Sequence, residues 1–156
     1  MTLGVAAAFN PELPARVTCW VSDATPLPGC TIIFVNTSSQ PYCHASDMFP
    51  RAVGTGGTWG IWLEPGSYTF SVQGVKGPNY PKVDWVLALP GLDGATFLAG
   101  QDWYDPSYIF NVVQTGSVVV AEAGYHVLKL TISGKNAASS DYVVVLTKAW
   151  LRQGVD

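Results

Sequence analysis

Four consecutive residues, Asp102, Trp103, Tyr104 and Asp105, combine two flat aromatic rings with two carboxylates. Such rings stack on the apolar faces of sugars, and carboxylates beside them accept hydroxyl hydrogen bonds. The four are therefore candidate glycan contacts. The chain carries six Trp and seven Tyr in 156 residues. Their competing use is to fill a core or a subunit interface. Trp59 and Trp62 stand on either side of Gly60. An extended backbone turns them to opposite faces, so at most one of the two is core.

Other chemistries find less support. The two histidines are His44 and His126. His44 follows Cys43, but neighbours in an extended segment point apart, so the two cannot easily act as a nucleophile and its base. His126 opens a predicted strand and reads as structural. No Gly-x-Ser-x-Gly elbow is present. Cys19, Cys30, Cys43 and His44 lack the paired spacing of a zinc site. Three cysteines make no disulfide framework, and buried free thiols are expected. Asp93, Asp102 and Asp105 offer oxygen ligands of the kind calcium takes, with a solvated acidic loop as the plainer reading. Glu12, Glu64 and Glu122 each lie in or beside a predicted turn, and nothing pairs them across a cleft as glycoside hydrolysis requires. The expectation is a protein that is not an enzyme and carries no cofactor or metal. Asn36-Thr37-Ser38 would matter as a glycosylation acceptor only after secretion.

The elements that must position these residues are strands. Helical periodicity is almost absent, and short β-rich segments recur between turn residues. Strands are predicted at Arg16–Ser22, Thr31–Val35, Thr58–Leu63, Ser67–Gln73, Lys82–Leu89, Tyr108–Val113, Ser117–Ala121, Tyr125–Ser133 and Asp141–Leu151. Turns are predicted at Pro26–Gly29, Gly54–Gly57, Pro65-Gly66, Gly77–Asn79, Pro90–Gly94, Gly116, Gly124 and Gly134–Ser140. Tyr68, Phe70 and Val72 alternate with Thr69, Ser71 and Gln73, and Leu128, Leu130 and Ile132 with Lys129, Thr131 and Ser133. Each of these strands has one wet face. Asp141–Leu151 is apolar on both faces, so it is either central and covered or lies against a neighbouring subunit. Val143, Val145, Trp150 and Leu151 are accordingly the expected assembly interface.

The fold class that follows is all-β, an antiparallel β-sandwich of jelly-roll type with an irregular N-terminal segment. Residues 1–55 are proline-rich and read as an arm, an attachment element or the first strands of the same sandwich. Residues 56–156 form the sandwich proper. Charged residues are 12% of the chain, about half the usual share, so part of the surface is expected to be covered by another subunit. A net charge of −3 with scattered basic residues excludes a nucleic-acid partner. No segment reaches the length of a membrane span, so no membrane insertion is expected. The N-terminus lacks the basic start and apolar run of a signal peptide, and synthesis in a cytoplasm is expected.

Two stretches carry a family resemblance. Tyr125 to Trp150, reading YHVLKLTISGKNAASSDYVVVLTKAW after Ala121-Glu122-Ala123-Gly124, resembles the closing hairpin of galactose-binding-like jelly rolls of the carbohydrate-binding-module type. Such modules recur in bacteriophage tail fibres, tail-tip proteins and head appendages. The matching residues are Gly124, His126, Leu128, Lys129, Leu130, Gly134, Lys135, Asn136, Ser139, Ser140 and Tyr142. Pro65 to Phe70 resembles the opening strand of these modules. Lys82-Val83-Asp84 and Gln101 to Tyr104 fall where such modules carry a valine-aspartate strand and an aspartate-x-tyrosine segment. In the turn, Gly134 is expected to supply a positive φ, and Asn136, Ser139 and Ser140 to bond their own backbone.

The resemblance implies a non-enzymatic bacteriophage virion structural protein, a head decoration (minor capsid) protein or a small tail appendage, located in the virion after assembly in the host cytoplasm. Its implied partners are itself, as a homotrimer, and capsid or tail proteins. The alternative is a carbohydrate-binding module that recognises host cell-surface glycans.

Overall fold

A computed structural model describes residues 16–27, 30–36, 44–49 and 52–153. Eleven strands run in chain order: β1 Arg16–Trp20, β2 Thr25–Pro26, β3 Thr31–Asn36, β4 His44–Phe49, β5 Gly56–Leu63, β6 Gly66–Lys76, β7 Lys82–Ala88, β8 Ala95–Asp102, β9 Ile109–Val120, β10 Gly124–Gly134 and β11 Val144–Gln153. The single helical piece among the described residues is one 3-10 turn at Val21–Asp23. The strands form two antiparallel sheets. A six-stranded sheet has the order β3-β4-β11-β6-β9, with β1 also on β11. A five-stranded sheet has the order β2-β5-β10-β7-β8. The fold is an all-β sandwich of jelly-roll type.

Alternation decides which side chains meet between the sheets. The six-stranded sheet sends in Tyr68, Phe70 and Val72 of β6, Ala149 and Leu151 of β11, and Val118 and Val120 of β9. The five-stranded sheet answers with Trp59, Ile61 and Leu63 of β5, Val83 and Trp85 of β7, and Leu128, Leu130 and Ile132 of β10. Each fully buried Leu, Ile, Val or Phe contributes about 1.5–3 kcal/mol relative to exposure. Aromatic rings bridge the layers. Phe70 meets Trp85 edge-on at 4.9 Å and Phe97 at 5.0 Å, and Trp85 stacks on Trp59 at 5.8 Å.

One amide organises this core. The Nε1 groups of Trp85 and Trp103 both donate to Gln101 Oε1, each at 2.9 Å. Indole N–H groups are costly to bury without an acceptor, and one carbonyl has lone pairs for two. The Nε2 of Gln101 is buried without a partner.

The two apolar faces of β11 are covered inside the chain. Val143, Val145 and Leu151 are all buried, and Trp150 is half-buried. β4 pairs with Val144–Leu146, β1 pairs with Lys148–Arg152, and β6 lies along the other edge. The expected assembly interface at Val143, Val145, Trp150 and Leu151 is therefore corrected. Strands from the first 55 residues pair along β11 and make it an inner strand of its sheet, and Val143, Val145 and Leu151 join the core of the chain itself. Trp150 is held instead by cations, with Arg16 at 5.8 Å and Lys148 at 5.4 Å from its ring.

Three local expectations also change. β9 runs unbroken through Gly116, where a turn is predicted. A Cβ there would lie 3.2 Å from Leu98 Cδ2, so this glycine lets a side chain of the opposite sheet sit close. β10 and β11 do not form a hairpin, because β10 pairs with β5 and β7 while β11 lies in the other sheet. Their connection crosses between the layers. Gly134 is not among the residues with positive φ and instead adjoins a register shift between β10 and β7. β8 escapes sequence reading because Ala95, Ala99 and Gly100 have little β propensity. Its pairing with β7 makes it a strand.

Candidate functional site

The Asp102–Asp105 segment leads from β8 into the β8–β9 loop and does not present a ligand surface as expected. Trp103 is only 2% exposed, with its indole hydrogen-bonded inside the core. It is corrected from a glycan contact to a core residue. The carboxylates serve the loop itself. Asp102 Oδ1 accepts the N–H of Tyr104 at 2.9 Å, and Asp105 Oδ1 accepts that of Ser107 at 3.0 Å. Asp102 Oδ2 also accepts from Asn136 Nδ2 at 3.3 Å, which joins this loop to the β10–β11 connection. Tyr104 is half-buried and its backbone bridges to Gly77. These are local turn closures that Asp and Asn make readily. Asp93 sits in the β7–β8 loop, at the other end of β8. Among the described residues no three His, Cys, Asp or Glu groups gather as metal ligands would.

The β10–β11 connection is tied down in the same way. Asn136 Oδ1 accepts the N–H of Ala138 at 3.0 Å. The buried Ser139 hydroxyl lies 2.8 Å from the carbonyl of Tyr80 and 2.9 Å from that of Asp141. The residues that carry the resemblance thus build the loop. His126 is likewise structural, 6% exposed with Nδ1 2.9 Å from the Gly124 carbonyl. The side chains of Cys43 and His44 lie outside the described residues, whereas Cys19 and Cys30 are buried.

An exposed aromatic pair lies elsewhere, on the outer face of the five-stranded sheet. Trp62 of β5 and Tyr125 of β10 are register partners. Their rings meet edge to face at 5.3 Å and 87°. Trp62 remains 53% exposed and Tyr125 64%. Two rings of this size left in water on a sheet face need an explanation, since the chain has a full core to place them in. Trp62 Nε1 donates to Glu64 Oε2 at 2.8 Å, which fixes the indole plane and brings a carboxylate beside it. The Glu64 backbone is held in turn by Tyr68, whose hydroxyl donates to the Glu64 carbonyl at 2.7 Å.

The face continues along β5 and β10 with a changing character. Next to Trp62 on the same side comes Gly60, exposed and with nothing within 4 Å of the place of a Cβ. Opposite it stands Val127. The next pair is Thr58 with Lys129, and Thr131 then faces Asp84 of β7. Asp84 Oδ1 accepts the N–H of Gly100 at 2.8 Å. From Trp62 to Thr58 is about 13 Å at the usual rise of a strand. The result is a shallow track with an aromatic end, a low middle formed by Gly60 and Val127, and a polar end. Its chemistry suits a flat, hydroxyl-rich ligand longer than one ring.

Sequence reading singled out Trp62 as half of a pair with one outward member but did not connect it to Tyr125. The available signal was alternation, which puts Tyr125 on the same wet face as Lys129 and Thr131. The register that sets Tyr125 against Trp62 is a tertiary fact. A cleft of about 520 Å³ between the β7–β8 loop and the end of β9 is a weaker candidate. Leu87, Leu92, Phe97 and Val119 line it, and His126 and Ser117 are its only polar side chains. That leaves too few hydrogen-bonding groups to orient a sugar.

No protein-family model matches the chain, and no curated protein matches it in sequence. Solved structures match its fold. A xanthan lyase from Paenibacillus superposes with a TM-score of 0.73 and 18% identity over 93% of this chain, which spans 14% of the lyase. The CBM22-1 xylan-binding domain from Paenibacillus barcinonensis gives 0.59 and 13% identity, covering 94% of this chain and 100% of that domain. A family 35 carbohydrate binding module from Clostridium thermocellum gives 0.57 and 12%, covering 90% and 99%. At these identities the likeness is one of fold, and the chain is a jelly-roll sandwich similar to that of carbohydrate-binding modules.

Proposed function

We propose that this protein is a non-catalytic carbohydrate-binding module whose contact surface is the track from Trp62 and Tyr125 to Lys129 and Asp84. The observation that carries this reading is the exposed Trp62–Tyr125 pair, braced by Glu64, on a fold shared with xylan-binding and other carbohydrate-binding domains. Aromatic faces gain by covering sugar C–H surfaces, and Glu64, Lys129 and Asp84 provide hydroxyl partners. The alternative role, in a virion as a decoration or tail appendage protein with capsid or tail partners, drew its physical motive from strand faces too apolar to hide. The chain hides Val143, Val145 and Leu151 itself, so carbohydrate binding takes precedence.

The test is affinity electrophoresis in gels containing xylan, soluble cellulose derivatives or mannan, followed by calorimetry on any polysaccharide that retards the protein. Trp62→Ala and Tyr125→Ala should each weaken binding about tenfold. Tyr108→Ala, exposed at the opposite end of the sandwich, should not. Retardation by no polysaccharide, or retardation that survives the Trp62 and Tyr125 substitutions unchanged, would reject the reading.

A further inference from the structure

The outer strands of the two sheets are guarded unequally. A free strand edge invites pairing with another chain, and proteins blunt such edges with proline, charge, bulges or brevity. β2, one edge of the five-stranded sheet, is two residues long and ends in Pro26. β8, its other edge, is broken by two register shifts against β7 and carries Gly100 in the left-handed region at φ 65°. β9, an edge of the six-stranded sheet, has none of these guards after its first turn. A bulge at Asn111, with φ 58°, distorts only its start. From Val112 to Val120 the register with β6 is regular, and not one residue of β9 is charged. On its outward face Val113 is 49% exposed and Val119 75%.

The outward face also reads the same in both directions. Its residues from 113 to 119 are Val113, Thr115, Ser117 and Val119. Rotation of a second copy about a two-fold axis through Gly116 lays Val113 against the copy's Val119 and Thr115 against its Ser117. On the inward face the same operation sets Val112 against Val120. An antiparallel pair in this register matches apolar with apolar and hydroxyl with hydroxyl on the outward face, with no charge buried. On the inward face Gln114 falls opposite Val118, but its amide is already bonded to the Asp102 carbonyl of its own chain at 2.9 Å.

We infer that β9 is a homodimerisation edge, pairing antiparallel with β9 of a second copy about Gly116 so that two six-stranded sheets become one continuous sheet. The occupant is a copy of this chain because the strand is complementary to itself and has no charge with which to select another partner. The symmetry is isologous and closes at two, not at the three expected for a trimer.

Sedimentation velocity over a wide concentration range tests this on the full chain. The wild type should show a monomer–dimer equilibrium. Val113→Lys with Val119→Lys should weaken it by about tenfold or more, because each lysine then faces a lysine of the other copy. Val113→Lys with Val119→Glu should restore it, because each lysine then faces a glutamate. Within one chain the two positions are about 20 Å apart, so the rescue reports the contact between copies. Circular dichroism should be unchanged in both variants, and so should melting at concentrations where all three proteins are monomeric, since both positions are exposed in the monomer. A monomer at the highest soluble concentration overturns the inference, as does a dimer indifferent to both double substitutions or equally broken by both. Capture of a different protein by a monomeric β9 edge also counts against it. Binding through Trp62 lies on the other sheet, so the two results can fail separately.

Discussion

Replacing Gln101 with methionine keeps the length of the side chain and removes the one acceptor that two tryptophans share. Trp85 is fully buried and Trp103 is 2% exposed, so neither indole can turn to water. Each N–H stranded in the core costs about 1–3 kcal/mol. The substitution also removes the Gln101 Nε2, which is buried without a partner and carries a penalty of about the same size. Two losses against one relief leave a net destabilisation of about 2 kcal/mol. For a chain of this length that lowers Tm by roughly 4–8 °C. In urea, with a slope of about 2 kcal/mol per molar, the midpoint falls by about 1 M. Tryptophan fluorescence and near-ultraviolet circular dichroism follow the transition, since both report the indoles concerned. A cycle with Trp103→Phe isolates the contact, and the two substitutions together should cost about 1 kcal/mol less than their sum. A Gln101→Met protein as stable as the wild type would show that the shared carbonyl does not hold the two rings.

Further outcomes follow from a buried thiol and from two glycines with positive φ. Burial pushes the Cys19 thiol from its ordinary 9.0 up to about 12. Native protein at neutral pH should therefore resist iodoacetamide at Cys19, and label there only once denaturant is added, as peptide mass mapping will show. The unfolded thiol ionises first, so this group's contribution to stability is complete below about 9 and is lost as pH rises toward about 12. Leu92 N–H bonds the Leu89 carbonyl at 3.0 Å around Pro90 and Gly91, and Gly91 has φ 81°, a type II turn. Gly91→Ala meets open space and should cost about 1–2 kcal/mol in strain alone. Gly94→Ala also has a positive φ, of 75°, and would set its Cβ 2.4 Å from Ala88 Cβ. It should cost about 3 kcal/mol or more in urea unfolding, and equal losses for the two would count against the steric account.

The sequence by itself determined the class of fold. Period-two alternation in Tyr68–Gln73 and Leu128–Ser133, with Gly and Pro between strands, leaves an antiparallel sandwich as the arrangement that buries one face of each strand. It also determined that Trp59 and Trp62 part company, because the strand between them turns them to opposite sides. Tertiary structure decided where each aromatic is used. Trp103 belongs to the core because Trp85 of β7 comes to the Gln101 carbonyl that the two indoles share, and no local pattern records that meeting. Asp102 and Asp105 sit beside it but bond their own loop, a choice that short side chains make only once the loop is shaped. The apolar faces of β11 look unmatched in one dimension, since the strands that widen its sheet come from a proline-rich stretch about a hundred or more residues earlier. The candidate site arose the same way. Tyr125 and Trp62 are distant in the chain and become neighbours through the register of β10 on β5, which the packing of whole sheets fixes and local sequence does not.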